Sequence, residues 1–127
     1  MIYYTADLHL GYANVIQHCN RPFSSADEMD AALISNWNSK VHRDDTVYLV
    51  GDFLFRAKRP AEDYLRELKG RKHLLIGNHD RYWMKDTDTA RWFESVSAML
   101  TVTDCGRTAV LCHYPMMAGR AWAGAAI

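Results

Sequence analysis

The sequence carries no excess of either charge. Lys plus Arg and Asp plus Glu both number 15, so the net charge is zero with neutral histidines. That leaves no general basic field for extended nucleic acid or for anionic lipid. Cysteine is scarce: Cys19, Cys105 and Cys112 are an odd set with no CxxC spacing. A disulfide framework is not expected, and a reducing, cytoplasmic setting is. No apolar run approaches the roughly 18 residues of a membrane span, so no membrane partner is expected. The opening Met1-Ile2-Tyr3-Tyr4-Thr5-Ala6-Asp7 lacks both a basic stretch and a long apolar one. It reads as a core strand rather than a leader. No repeat and no linker interrupts the 127 residues, which suit one soluble domain with a modest core.

What the sequence does have is a recurring junction. Ile2–Ala6 runs into Asp7-Leu8-His9, and Thr46–Val50 into Gly51-Asp52. His73–Ile76 runs into Gly77-Asn78-His79-Asp80, and Ala109–Cys112 into His113. A buried strand followed by a loop bearing Asp, Asn or His is how an α/β sheet presents ligands along one edge. Four in order point to a two-metal site acting on phosphate esters.

The intervening segments supply helices. Ala13–His18 fits a short one. Ser25-Ala26-Asp27-Glu28 reads as a capping box opening a helix to about Lys40, with Met29, Leu33 and Trp37 on one face. Pro60 suits a first helical position before Ala61–Leu68. Thr89–Ser95 reads as a further short helix. Asp104-Cys105-Gly106 is a hairpin signal between Met99–Thr103 and Arg107–Cys112.

Each junction has its own chemistry. Asp7 and His9 would face the same side of a strictly extended segment. A carboxylate beside an imidazole binds a borderline transition metal, although the pair alone also suits an N-cap and a surface histidine. Asp52 has two carboxylate oxygens and can bridge two cations about 3.5–4 Å apart. Gly51 lets the backbone turn tightly there. Asn78 offers a neutral amide oxygen. His79 can protonate a leaving oxygen, with Asp80 orienting its ring. Arg21 and Arg81 are candidates for phosphate binding through their planar guanidinium forks, or ordinary solvated charges.

The order Asp7-x-His9, Gly51-Asp52, Gly77-Asn78-His79-Asp80, His113 resembles the calcineurin-like metallophosphoesterase superfamily. Thr5-Ala6-Asp7-Leu8-His9-Leu10-Gly11, Asn20-Arg21-Pro22-Phe23 and Cys112-His113-Tyr114-Pro115 further resemble its small bacterial and phage phosphoesterases. The match covers nearly all of residues 1–117. The resemblance implies an α/β fold: a mixed β-sandwich flanked by helices, the αββα arrangement. It implies one metal on Asp7, His9 and Asp52, and another on Asp52, Asn78 and His113, with His79 and Asp80 as the catalytic pair. The cofactors would be two divalent transition-metal ions, of Mn2+, Fe, Ni2+ or Zn2+. The reaction would be hydrolysis of a phosphodiester or monoester, a small phosphate ester or nucleotide, by metal-activated hydroxide.

Two departures stand out. Tyr12 follows Gly11, where relatives often carry His. The family also closes its site with a Gly-His-x-His motif, and no histidine follows His113 in the Ala/Gly-rich stretch 118–127. Each metal would then keep three protein ligands, and the C-terminal sheet would be incomplete. A second copy of the chain covering the open edge is one expectation. A catalytically silent metal-binding or assembly protein is the alternative function.

Overall fold

The computed structural model describes residues 1–115. The chain order is β1 (Ile2–Thr5), α1 (Asn14–His18), α2 (Ala26–Lys40), β2 (Thr46–Val50), α3 (Ala61–Glu67), β3 (Arg71–Leu75), α4 (Arg81–Met84), α5 (Thr89–Trp92), β4 (Ser95–Ser97), β5 (Met99–Asp104) and β6 (Arg107–Cys112). The fold is α/β. β1, β2, β3 and β4 form one parallel sheet in that order, and β5 and β6 an antiparallel pair. The Ala/Gly-rich stretch 118–127, and with it the expectation of an incomplete C-terminal sheet, lies outside the described residues.

Parallel pairing follows from the connections. Each of the first three strands is followed by at least one helix, which returns the chain to the same end of the sheet. Val47, Leu49 and Leu74 then share a buried cluster with Trp37 of α2 and with Tyr64 and Leu65 of α3. α2 starts where Ser25 Oγ accepts the Glu28 N–H at 3.1 Å. The reciprocal half of the cap is shifted, because Glu28 accepts from Ser24 rather than from Ser25. No helix among the described residues is long and apolar enough to cross a membrane.

The opposite face of the sheet carries a ladder. Tyr4, Tyr48 and His73 are register partners, stacked at centroid spacings of 5.4 and 4.8 Å. The β5–β6 hairpin meets the sheet at both of its ends. Tyr4 donates its hydroxyl to Asp104 at 3.0 Å, and His113 contacts the end of β2. Cys105 and Gly106 both have positive φ, 51° and 77°, as a two-residue I′ hairpin turn requires.

Two expectations needed correction. Pro60 is the N-cap of α3, with extended ψ of 152°, rather than its first helical residue. The helix expected over Thr89–Ser95 stops at Trp92, and Phe93 is extended. Glu94 then donates to the Lys72 carbonyl at 2.7 Å, and Ser95–Ser97 becomes the fourth parallel strand. Trp92, Phe93 and Val96 carry a spacing that suits a helix, but pairing with β3 outweighs that local preference.

Candidate metal centre

The loops after β1 and β2 run side by side. Asp7 donates its N–H to Gly51 O, His9 to Asp52 O and Leu10 to Phe53 O, at 3.0–3.1 Å. A bridge between Leu10 and Leu54 resumes the pairing beyond them. Asp7, His9 and Asp52 themselves adopt left-handed backbone, with φ of 56°, 51° and 54°. Asp and His tolerate this region better than most residues, yet it is still strained. The expected extended segment through Asp7-x-His9 is therefore not what positions the pair. Successive left-handed turns do so.

Two side-chain groups result. His9, Asp52 and His79 bring ligand atoms within 4.8 Å of one another, and so do Asp7, Asp52 and His113. Asp52 belongs to both, as expected of a bridging carboxylate. Of the two expected sets, Asp52, Asn78 and His113 do lie together, whereas the other differs: His79 rather than Asp7 accompanies His9, and Asp7 falls with His113. Asn78 lies against His113, 3.1 Å from its Nε2.

The imidazole tautomers can be assigned from their partners. His9 Nδ1 lies 3.0 Å from Asp7 O, and His113 Nδ1 lies 3.0 Å from Val50 O. A carbonyl can only accept, so both rings donate from Nδ1. Their Nε2 atoms face the same Asp52 Oδ2, at 3.3 and 3.4 Å. Lone pairs converging on one carboxylate oxygen repel unless a cation or added protons lie among them. The Asn78 amide satisfies its surroundings with its nitrogen turned inward, 3.1 Å from both His113 Nε2 and Asp52 Oδ2. These donors fit a divalent transition metal: imidazole nitrogen and carboxylate oxygen are borderline ligands, and the carbonyl-bound Nδ1 atoms hold the rings in place. Asp52 is almost fully buried, whereas Asp7 has 57% of its side chain exposed, so the centre opens toward solvent on the Asp7 side.

Two glycines permit the close packing. A Cβ on Gly51, whose φ is +84°, would overlap the His113 ring at Nδ1. A Cβ on Gly77 would lie 2.5 Å from Asp52 Oδ1.

Asp80 does not orient His79. It is fully buried, and its oxygens accept from Asp52 N and Phe53 N at 2.9 Å, Gly77 N at 2.7 Å and Trp83 Nε1 at 2.9 Å. Those four bonds occupy the lone-pair sites of a carboxylate. Asp80 is thus a positioning residue that pins the Asp52 loop to the Asn78-His79 loop. His79 is held instead through its main-chain N–H on Asp52 Oδ1 at 3.0 Å. Its ring packs on Phe55 at 4.0 Å.

Arg21 is also committed elsewhere than expected. Its guanidinium donates to Leu8 O at 2.8 Å and to Asp7 O at 2.7 Å. It clamps the left-handed turn rather than offering a free fork to phosphate. Arg81 is exposed at the start of α4. Sequence reasoning missed the aromatic wall of Tyr12, Phe55 and Tyr82 beside His79. The only signal for it was the proximity of Phe55 to Asp52 and of Tyr82 to His79 in the chain.

No family model matches the sequence. The chain is 42% identical over 87 residues to the uncharacterized protein MJ1445 of Methanocaldococcus jannaschii, covering 66% of this chain and 49% of that one. It is 36% identical over 83 residues to the Gene 66 protein of Mycobacterium phage D29, covering 63% and 40%. Among solved structures it is similar to AQ665 of Aquifex aeolicus, a protein of unknown function. There the TM-score is 0.69 and the identity 26%, over 91% of this chain and 61% of that one. The chain thus spans half or less of the length of the curated relatives it matches.

Proposed function

We propose that the protein is a metal-dependent phosphoesterase of the calcineurin-like type, hydrolysing phosphodiesters or monoesters at a two-metal centre. The observation that carries this reading is the shared Asp52: one buried carboxylate serves two ligand groups drawn from four separate strand ends. Asp7, Asp52 and His113 would hold one cation, with Asn78 in reach once its amide oxygen turns inward. His9 and Asp52 would hold the other, beside His79. Bound there, two divalent cations supply Lewis acidity toward the phosphoryl oxygens and acidify water.

The protein's own part is positioning and proton transfer. Asp80 and Arg21 fix the loops, so the acceptors converge without rearrangement when substrate arrives. His79 projects from a loop held by Asp52 and packs against Phe55, and it carries a proton to the departing oxygen. Phe55 covers one face of that imidazole and shields it from water.

The test is metal content and turnover measured together, on an aryl phosphodiester with Mn2+. Asp52→Asn is expected to lose bound metal from both groups and at least about 100-fold in turnover, since even outer-shell losses cost 10–100-fold. His79→Gln is expected to keep its metal and lose about 10^2–10^4-fold in kcat. If His79→Gln loses one metal per chain, His79 is a ligand rather than the acid. Metal uptake by the wild-type chain without turnover of any ester would overturn the enzyme reading and favour the catalytically silent metal-binding protein.

A further inference from the structure

Next to Phe55, which packs on His79, lies a groove that neither proposed ligand group lines. It is a cavity of about 300 Å3 between the loop carrying Leu54, Phe55 and Arg56 and the segment of α4 and its following turn that carries Tyr82, Trp83 and Asp86. That volume is at the small end of the range for ligand sites. The wall nearest the metal centre is aromatic. Phe55 packs on the His79 imidazole at 4.0 Å and meets Tyr82 at 5.6 Å and Tyr12 at 5.0 Å. Arg56 lies over the Phe55 ring at 5.0 Å and is itself exposed. Tyr82 is 59% exposed.

A single exposed aromatic needs no explanation. Here, however, the exposed ring ends a continuous chain of rings that starts at the proposed acid. A guanidinium lies on that chain, and a cavity opens along it. Aromatic faces interleaved with cations recognise the bases and phosphates of nucleotides, because every base presents a π-face. Asp86 adds a hydrogen-bond acceptor to the lining, suited to a base that carries an exocyclic amine.

We infer that the groove lined by Phe55, Arg56 and Tyr82 takes the base of a nucleoside phosphate ester, stacked on the exposed Tyr82 ring, so that the substrate class is nucleotide esters rather than simple phosphate esters. This rests on the phosphoesterase reading for its chemistry, but not for its binding. Two ring-to-ring steps, of 4.0 and 5.6 Å, lead from His79 to Tyr82, and the sugar of the nucleoside bridges them. Because Phe55, which lines the groove, packs on the proposed acid His79, the base belongs to the leaving group. Water adds at phosphorus and gives up a proton to solvent, the bond from phosphorus to the nucleoside oxygen breaks, and that oxygen takes the His79 proton, which solvent then restores.

The experiment compares the methyl phosphate diester of adenosine, esterified at its 5′ oxygen, with the same ester of ribose lacking the base. Binding of adenosine monophosphate and ribose 5-phosphate is measured by calorimetry on the same protein. The expected result is a kcat/KM ratio, and an affinity ratio, of about tenfold or more in favour of the adenine compounds, the stacking contribution of one base. Tyr82→Ala brings both ratios toward one, and Tyr82→Phe retains them. Equal hydrolysis of both diesters, with ratios that Tyr82→Ala does not change, overturns the base groove while leaving the phosphoesterase intact. If neither these diesters nor any other phosphate ester is hydrolysed, the phosphoesterase reading fails. The calorimetric ratio then still decides: a preference for adenosine monophosphate that Tyr82→Ala removes sustains the groove, and equal affinities overturn it.

Discussion

Replacing Asp80 by Asn separates the two roles that this residue could play. The carboxylate accepts four N–H donors, two on each oxygen: Asp52 N and Gly77 N on Oδ2, Phe53 N and Trp83 Nε1 on Oδ1. An amide keeps one acceptor oxygen and turns the other position into a donor. In either orientation two of the four bonds are lost, and two buried N–H groups face an NH2. Hydrogen bonds to a charged group contribute about 1.5–3 kcal/mol each, so the substitution should cost about 3–6 kcal/mol. That is a large share of the roughly 5–15 kcal/mol that holds a typical domain together. In urea, with a slope near 2 kcal/mol per molar, the midpoint should fall by about 2 M with the slope unchanged. Mn2+ affinity should fall with it, because the Asp52 main chain is what Asp80 anchors. A variant within about 1 kcal/mol of wild type that nonetheless lost its turnover would refute the argument and return Asp80 to a direct chemical role.

Two more outcomes are expected from the same geometry. Lys72 is buried in β3 and donates to Gly70 O at 3.0 Å, and burial pulls its ammonium down from 10.5 to about 8. Between pH 8 and 10.5 the unfolded chain holds the extra proton. Stability therefore rises with pH across that window, and the full penalty, about 3 kcal/mol at most, applies below pH 8. Lys72→Met should be more stable than wild type at pH 7, by about 1–3 kcal/mol, with the gain fading toward pH 10 in chemical denaturation. Gly51→Ala would drive a methyl group into the His113 ring at a φ of +84°. It should lose metal affinity by more than about tenfold in a competition titration while costing only about 1–3 kcal/mol of stability. Unchanged metal affinity would mean that His113 is not held where its Nδ1 bond to Val50 O places it.

Much of this was legible from the residues alone. β1, β2, β3 and β6 announce themselves as apolar, β-branched or aromatic runs, and the site residues lie directly after each of them. Ser25 as an N-cap and Cys105-Gly106 as a turn are local chemistry, so they could be read locally. β4 could not be. Three residues carry too little pattern, and its partner β3 lies more than twenty residues earlier. The exchange of Asp7 and His79 between the two groups was equally out of reach. It depends on left-handed turns at Asp7, His9 and Asp52, and those are imposed by contacts distant in sequence. Asp80 was assigned to the right loop for the wrong reason, because three of its four partners lie on other elements or at the far end of its own loop.

The same distant contacts account for how the site tolerates its own strain. A left-handed turn costs a residue other than glycine about 1–2 kcal/mol, and three of them sit at Asp7, His9 and Asp52. Each turn has a dedicated restraint. Arg21 holds the carbonyls of Asp7 and Leu8, the N–H groups of Asp7 and His9 rest on Gly51 O and Asp52 O, and Asp80 takes the N–H of Asp52. The restraining groups are buried or partly buried and bind main chain, whereas the strained residues point their side chains at one another. Strain that has been offset in this way does not have to be introduced when a ligand arrives, so acceptors that repel one another are kept within 4.8 Å by the fold itself. Loosening any one restraint should therefore weaken cation binding before it unfolds the chain, and this ordering distinguishes a preorganised centre from a chance cluster of acidic and imidazole side chains.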